Sequence, residues 1–262
     1  MKSKLNRQLA LGVAVSTLGM FLLLIIWVAV KFGFHISDRY LPNPLAVITA
    51  FRDIEPSIFA HTWATVLRLF VGGVVGIGLG IGLAITMYHK PLLGKLLAPS
   101  IHALRSIPPV ATVPFFLLWF GFEEKGKFLL ILFGIGLNVL VAAYQILEDM
   151  PDKYKIALVS FGHSPRSFPV TVALPLVVER ILPTIRTSLS IAFGVVIVAE
   201  LLGSQQGLGY LIQTSRSTYA IHVIFLATLI LGFLNILTDQ LVTRSWQRLV
   251  YWNSAFKVWR KK

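Results

Sequence analysis

The chain alternates between long apolar runs and short charged connections. Apolar stretches cover residues 9–30, 65–88, 128–147, 183–203 and 220–242, each near the ~20 residues that a helix needs to cross a bilayer. A sixth stretch, 97–120, is also apolar but contains Arg105, Pro108, Pro109 and Pro114. Proline removes a backbone donor and clashes with the preceding turn, so this stretch cannot run as one regular helix. Irregular backbone is tolerated at membrane depth only where it is buried in protein or borders a polar cavity. That places 97–120 near a path rather than against lipid. The pattern predicts an all-α chain, a polytopic membrane helical bundle of about six transmembrane helices. With no fixed-period repeat and no low-complexity linker, one transmembrane domain over residues 1–262 is expected.

One connection is unlike the others. Residues 148–182 mix charge with Tyr154, Ile156, Ala157, Leu158, Phe161, Phe168, Val170 and Val172. A simple solvated loop needs no such groups, so short helices are expected there, with one face packed on the bundle or on a partner. His163-Ser164-Pro165 reads as a turn between two of them, since Ser-Pro favours turn initiation.

Composition sharpens the membrane reading. Hydrophobic residues make up 56% and charged residues 13%, where soluble domains carry about a quarter charged residues. The formal net charge is +13, but the basic residues lie between the apolar runs, with no stripe interleaved with base-stacking aromatics, which argues against nucleic acid. If the N-terminus is cytoplasmic, 16 Lys and Arg fall on that side and 6 on the other, with Arg68 and Arg105 inside spans. By the positive-inside rule both termini are then cytoplasmic. The first run follows Lys2, Lys4 and Arg7 and exceeds the roughly 7–15 apolar residues of a secretory signal, so a retained span is expected. With no cysteine, disulfides and thiolate metal sites are excluded.

Candidate chemistry is sparse. Gly121 to Lys127 reads G-F-E-E-K-G-K, but Phe128 stands where a phosphate-binding loop needs Ser or Thr, and a strand-to-helix context is missing. A tight turn with solvated charges, including Glu123 and Glu124, is the simpler reading. Gly72, Gly76 and Gly80, with Gly78 and Gly82 beside them, have the spacing that lets helix backbones approach closely. The six histidines include no pair three or four apart, so no metal site is expected. Ionisable residues at membrane depth usually face a bundle interior or a wet cavity, which singles out Arg68, Arg105 and Glu200. Arg68 either snorkels to an interface or faces inward. Arg105, beside the proline break, points to a path-lining or gate-supporting role with Pro108 and Pro109. Glu200 precedes a glycine-rich bend, Gly203 to Gly209, and either bonds that bend or contacts a solute on the path or at its gate.

Several motifs together resemble the permease subunits of the nitrate, sulfonate and taurine group of ATP-binding-cassette importers. They are Leu41-Pro42-Asn43-Pro44, the run from His61 to Leu83, which resembles the family's H-x-x-x-T/S-L-x-R start of the second span at His61, Thr65 and Arg68, Leu104-Arg105-Ser106-Ile107-Pro108-Pro109 with Leu118-Trp119-Phe120-Gly121, and Val198-Ala199-Glu200-Leu201-Leu202 with Gly207-Leu208-Gly209-Tyr210-Leu211-Ile212. The resemblance runs over most of the chain and implies a type I importer permease fold. The family's cytoplasmic coupling pattern, E-A-A-x-x-x-G followed by L-P, corresponds here to the run from Ile156 to Gly162, then Leu174-Pro175. Gly162, Pro175 and Ala157 keep the pattern, while Ile156 and Leu158 replace its Glu and second Ala. The resemblance implies that Ala157, Leu158, Gly162, His163, Ser164 and Pro165 dock on a separate ATPase subunit.

It further implies a bacterial inner-membrane assembly of two copies of this chain, two ATPase subunits and an extracytoplasmic solute-binding protein. ATP would be bound by the ATPase subunits, and this chain would carry no cofactor and no catalytic residue. The expected cargo is a small anionic solute of the nitrate, sulfonate, taurine or bicarbonate class, moved by alternating access. A pyrimidine vitamin precursor is the alternative cargo. An ATPase-independent secondary transporter is the alternative mechanism, and it would need coupling-ion carboxylates, for which only Glu200 and Asp239 are available.

Overall fold

The computed structural model describes residues 18–250 apart from 20, 55 and 56, and of Asp53 the backbone alone. The first part of the expected first span, the N-terminal basic residues and the basic run from Lys257 to Lys262 lie outside the described residues. All regular structure among the described residues is helical. In chain order the helices are α1 (Phe21–Gly33), α2 (Pro44–Ile54), α3 (Ser57–His89), α4 (Pro91–Arg105), α5 (Pro109–Phe120), α6 (Glu124–Glu148), α7 (Lys153–Ser160), α8 (Leu174–Arg180), α9 (Leu182–Gly203), α10 (Leu208–Ser217) and α11 (Ile221–Leu249).

Among the described residues α3, α6, α9 and α11 are each long and apolar enough to cross a membrane. The interrupted stretch is two helices, α4 and α5, bent by 101° at Ser106–Pro108, which together have the length and composition of a broken span or a re-entrant loop. Consecutive prolines explain the break. Pro109 occupies the first turn of α5, where its missing N–H costs nothing, and it holds the preceding Pro108 extended, at φ −58° and ψ 125°.

The centre of the bundle is the pair α3–α6, backed by α9. The two helices meet backbone to backbone. A Cβ on Gly76 would lie 3.1 Å from the Leu132 carbonyl oxygen, and one on Gly80 would lie 2.7 Å from that of Gly136. The stripe of Gly72, Gly76 and Gly80 therefore serves helix packing, as its spacing predicts. Gly78 and Gly82 face open space and have no such role.

Two spans outrun their apolar stretches. Helix α3 begins at Ser57 rather than Thr65, because the polar residues of its first turns are engaged with other helices. Helix α11 continues to Leu249 because Trp246 packs inward and its indole N–H donates to the Val178 carbonyl at 2.7 Å. Helices α2 and α10, too short to span, have no counterpart in the apolar pattern. Residues 148–182 form short helices, as expected: α7, a 3₁₀ turn at Pro165–Ser167, a π turn at Pro169–Ala173, and α8. Gly162, at φ +77°, ends α7, and its N–H donates to the Val159 carbonyl while that of His163 donates to Leu158. This is the usual closure of a helix C-terminus by a left-handed residue.

Candidate functional site

His61, Thr65 and Arg68 project from one face of α3, spaced at i, i+4 and i+7. Each takes hold of the connector between α9 and α10. The Gly207 N–H donates to His61 Nδ1 at 3.2 Å, the Leu208 N–H donates to the Thr65 hydroxyl at 2.9 Å, and Arg68 Nη1 donates to the Gln206 carbonyl at 2.9 Å. Glu200, in the last turn of α9, closes the arrangement. Its Oε1 accepts from Arg68 Nη1 at 2.6 Å, its Oε2 from the Gly209 N–H at 2.8 Å, and the Thr65 hydroxyl lies 2.9 and 3.0 Å from the two oxygens. Arg68 also forks onto Glu124 of α6, with Nε and Nη2 at 2.7 and 2.6 Å, and Lys127 reaches the same carboxylate at 3.3 Å.

Arg68 is 4% exposed and Glu200 1%. Burying single charges this deeply is prohibitive. Here two cations, Arg68 and Lys127, face two anions, Glu124 and Glu200, so the cluster is neutral and its strongest contacts are charge-assisted. The glycines of the connector are dictated by the carboxylate. A side chain on Gly207, at φ +124°, would enter the Glu200 carboxylate, and a Cβ on Gly209 would lie 2.7 Å from that of Glu200.

This arrangement settles readings that the sequence left open. Arg68 faces the bundle interior and does not snorkel. Glu200 makes the bond to the bend, and its oxygens are occupied within the chain. Of the charges expected to be solvated in the stretch 121–127, Lys127 is buried, while Glu124 is half exposed but ion-paired with the buried Arg68. His61 and Thr65 were legible only as part of a family motif; their helical spacing, matched to the glycine bend, was the available signal.

The other residues expected on a path lie elsewhere. Arg105 closes α4, exposed, and has no acidic partner among the described residues. Pro108 is exposed, and Pro109 is half-buried beside Ser188, Ala192 and Val195 of α9. Around this elbow Ile107, Val110, Phe115, Leu118 and Trp119 are also exposed. Arg105, Pro108 and Pro109 therefore share one surface, and Glu200 is bonded to Arg68 in a separate cluster.

At the opposite end from the clamp, α7 lies on the bundle with one face exposed. Gly162, His163, Ser164 and Pro165 are exposed and Ala157 is half-buried. Leu158, expected with them, is only 5% exposed. It faces inward and helps line a cavity of about 650 Å³ with Tyr88, Tyr144 and Phe168. The outward apolar groups are instead Ile156 and Phe161, 66% and 81% exposed. Tyr88, at the end of α3, stacks on Phe168 with ring centroids 6.1 Å apart, and Lys155 of α7 lies over its ring at 5.4 Å. A hydrogen bond to the Tyr88 hydroxyl raises the Lys155 ammonium above its ordinary value.

A broken, exposed span set against an ion-paired scaffold is the build of a membrane transport component. Residues 76–251 match the family described as binding-protein-dependent transport system inner membrane component, and the chain belongs to it. It is 32% identical over 227 residues to SsuC of Bacillus subtilis (strain 168), a permease protein named for aliphatic sulfonates transport, with 85% of this chain and 81% of that one covered. It is 26% identical over 256 residues to the taurine transport system permease protein TauC of Escherichia coli (strain K12), with 95% and 92% covered. The fold matches a chain of the MetNI methionine ABC transporter in an inward facing conformation, with a TM-score of 0.60 at 18% identity, covering 75% of this chain and 97% of that one. The expected group, importer permeases of the sulfonate and taurine type, and the expected type I permease fold both hold.

Proposed function

We propose that this chain is the membrane subunit of an ATP-driven importer whose cargo is a small solute with an anionic group, of the sulfonate or taurine class. Two copies enclose the path, a solute-binding protein delivers the cargo from outside, and separate ATPase subunits bind and hydrolyse ATP. Both termini and the region 148–182 face the cytoplasm of a bacterial inner membrane, in keeping with the distribution of Lys and Arg. The elbow of Arg105, Pro108 and Pro109 borders the path, and Arg105 offers the anion a positive charge. Glu200 influences the path only through the cluster it shares with Arg68.

The observation that carries this reading is the outward-facing apolar surface of α7. Ile156 and Phe161 project from a segment that also exposes Lys153, Lys155, His163 and Arg166. Groups this large are costly to leave in water, and an ATPase subunit is the cover that family membership supplies. The carboxylates point the same way. A self-sufficient secondary transporter would need Glu200 or Asp239 for a coupling ion, but Glu200 is paired with Arg68, and Asp239 is held by Arg186 at 2.5 and 2.7 Å.

Purification in mild detergent should recover an ATP-hydrolysing subunit at a one-to-one ratio. The recovered complex, reconstituted with its binding protein, should accumulate labelled taurine or an alkanesulfonate only when ATP is present inside the vesicles. Equal uptake by the chain alone, without ATP, would overturn the proposal.

A further inference from the structure

Three helix ends meet around the cavity of about 650 Å³ against which α7 lies. Helix α3 ends there at His89, α4 begins at Pro91 and α6 ends at Glu148. Gly94 lets α4 close on α6, since a Cβ on it would lie 2.6 Å from the Tyr144 hydroxyl. Met87, Met150, Leu158 and Phe168, all buried, give the cavity an apolar floor. Small-molecule sites have this build: roughly 300–1,000 Å³, largely apolar, with a few polar groups that fix orientation. Four of the bordering side chains are charged: Lys95, Glu148, Asp152 and Lys155. Asp152 and Lys155 pair with each other at 3.4 Å, and Lys155 is also bonded to Tyr88. Glu148 takes a hydrogen bond from the Tyr144 hydroxyl, but neither it nor Lys95 has an ion-pair partner among the described residues.

These two charges stand at helix ends of matching sign. Lys95 follows the first turn of α4, the positive end of that helix, where Lys90 supplies no side-chain cap. Glu148 is the last residue of α6, the negative end, where a carboxylate is unfavourable until a cation offsets it. The cavity thus has a positive side and a negative side above an apolar floor. An ion of one sign gains from one side and is opposed by the other, whereas a molecule carrying both signs is favoured by both. The geometry points to a binding site for a small zwitterion with an ammonium, an acid group and an apolar body, the class of the larger apolar amino acids. The ammonium bonds Glu148, the acid group bonds Lys95 and the first turn of α4, and the apolar body lies on Met87, Met150 and Phe168. The ligand also touches Leu158, on the face of α7 turned away from Ile156 and Phe161. The site is separate from the elbow of Arg105, Pro108 and Pro109, and it does not rest on the importer reading.

The test is calorimetric titration of the full-length chain in mild detergent, with the subunits that co-purify. Three ligands share one carbon skeleton: leucine, isocaproate, which lacks the ammonium, and isoamylamine, which lacks the acid group. Leucine should bind saturably, and each of the other two should bind about tenfold more weakly or worse, the worth of one hydrogen bond to a charged group. Lys95→Ala and Glu148→Gln, both at exposed positions, should each weaken leucine binding by a similar factor. Glu148→Gln should also bring leucine and isocaproate to nearly equal affinity, because the ammonium then has no counterion. Arg105→Ala should bind leucine as the wild type does. No saturable binding of leucine, equal binding of all three ligands by the wild type, or wild-type affinity in both cavity variants would each overturn the inference. So would binding lost in Arg105→Ala but kept in Lys95→Ala, which would place the ligand at the elbow. None of these outcomes bears on whether the chain transports a sulfonate, which the uptake measurement above decides.

Discussion

The clamp on the α9–α10 connector and the elbow between α4 and α5 each place an arginine in an apolar stretch, and they treat it in opposite ways. Arg68 is buried, forked onto one carboxylate, bonded to a second and to a carbonyl. Arg105 is exposed and bonded to no acidic group among the described residues. The clamp is satisfied within one chain, so its residues serve this chain's own architecture. The elbow is incomplete, and its proline-broken backbone and exposed aromatic groups have work only against something outside the chain. An ionisable residue at membrane depth is thus not one kind of signal. Its partners decide whether it belongs to a scaffold or to a path.

Substitutions should separate the two regions. Arg68→Ala leaves Glu200 buried without its cation, and removing one partner of a buried pair costs roughly 3–5 kcal/mol. Folded protein should largely disappear from a detergent size-exclusion profile, and a normal profile would break the contrast. Glu124→Gln should be milder, about 1 kcal/mol, because this carboxylate is half exposed and Gln keeps an acceptor for Arg68. A thermal shift of a few degrees in detergent is the expected reading. Arg105→Ala should leave stability within about 0.5 kcal/mol, as for other exposed sites, yet reduce uptake by a correctly assembled complex. If that variant transports normally, Arg105 leaves the path, and the elbow loses its only charged member.

Much of the fold was legible because bilayer thickness constrains span length. The helices α6 and α9 begin and end within a few residues of their apolar runs, and the break in 97–120 falls at its prolines. Helices α2 and α10 were not legible, since neither is long enough to carry a span signal and each takes its place from contacts with α11. The site divides in the same way. Gly72, Gly76 and Gly80 announce themselves by local spacing, whereas Arg68 and Glu200 lie 132 residues apart, and no local pattern joins them. Leu158 shows the reverse case. The family resemblance groups it with the exposed turn at Gly162, but an eight-residue helix lying on a bundle must turn one side inward, and that side carries Leu158.

The order of charges along the chain also bears on how such a protein is made. Arg68 emerges from the ribosome first, and its first counterion, Glu124, follows 56 residues later on the next long span. The hairpin of α3 and α6 can therefore neutralise its arginine before α9 has been synthesised. Glu200, when it arrives, meets a guanidinium whose Nη1 is still unused by Glu124, and a threonine hydroxyl already positioned on the same helix. Only Arg68 has to wait for a counterion; Glu200 arrives last, with both of its side-chain partners already made.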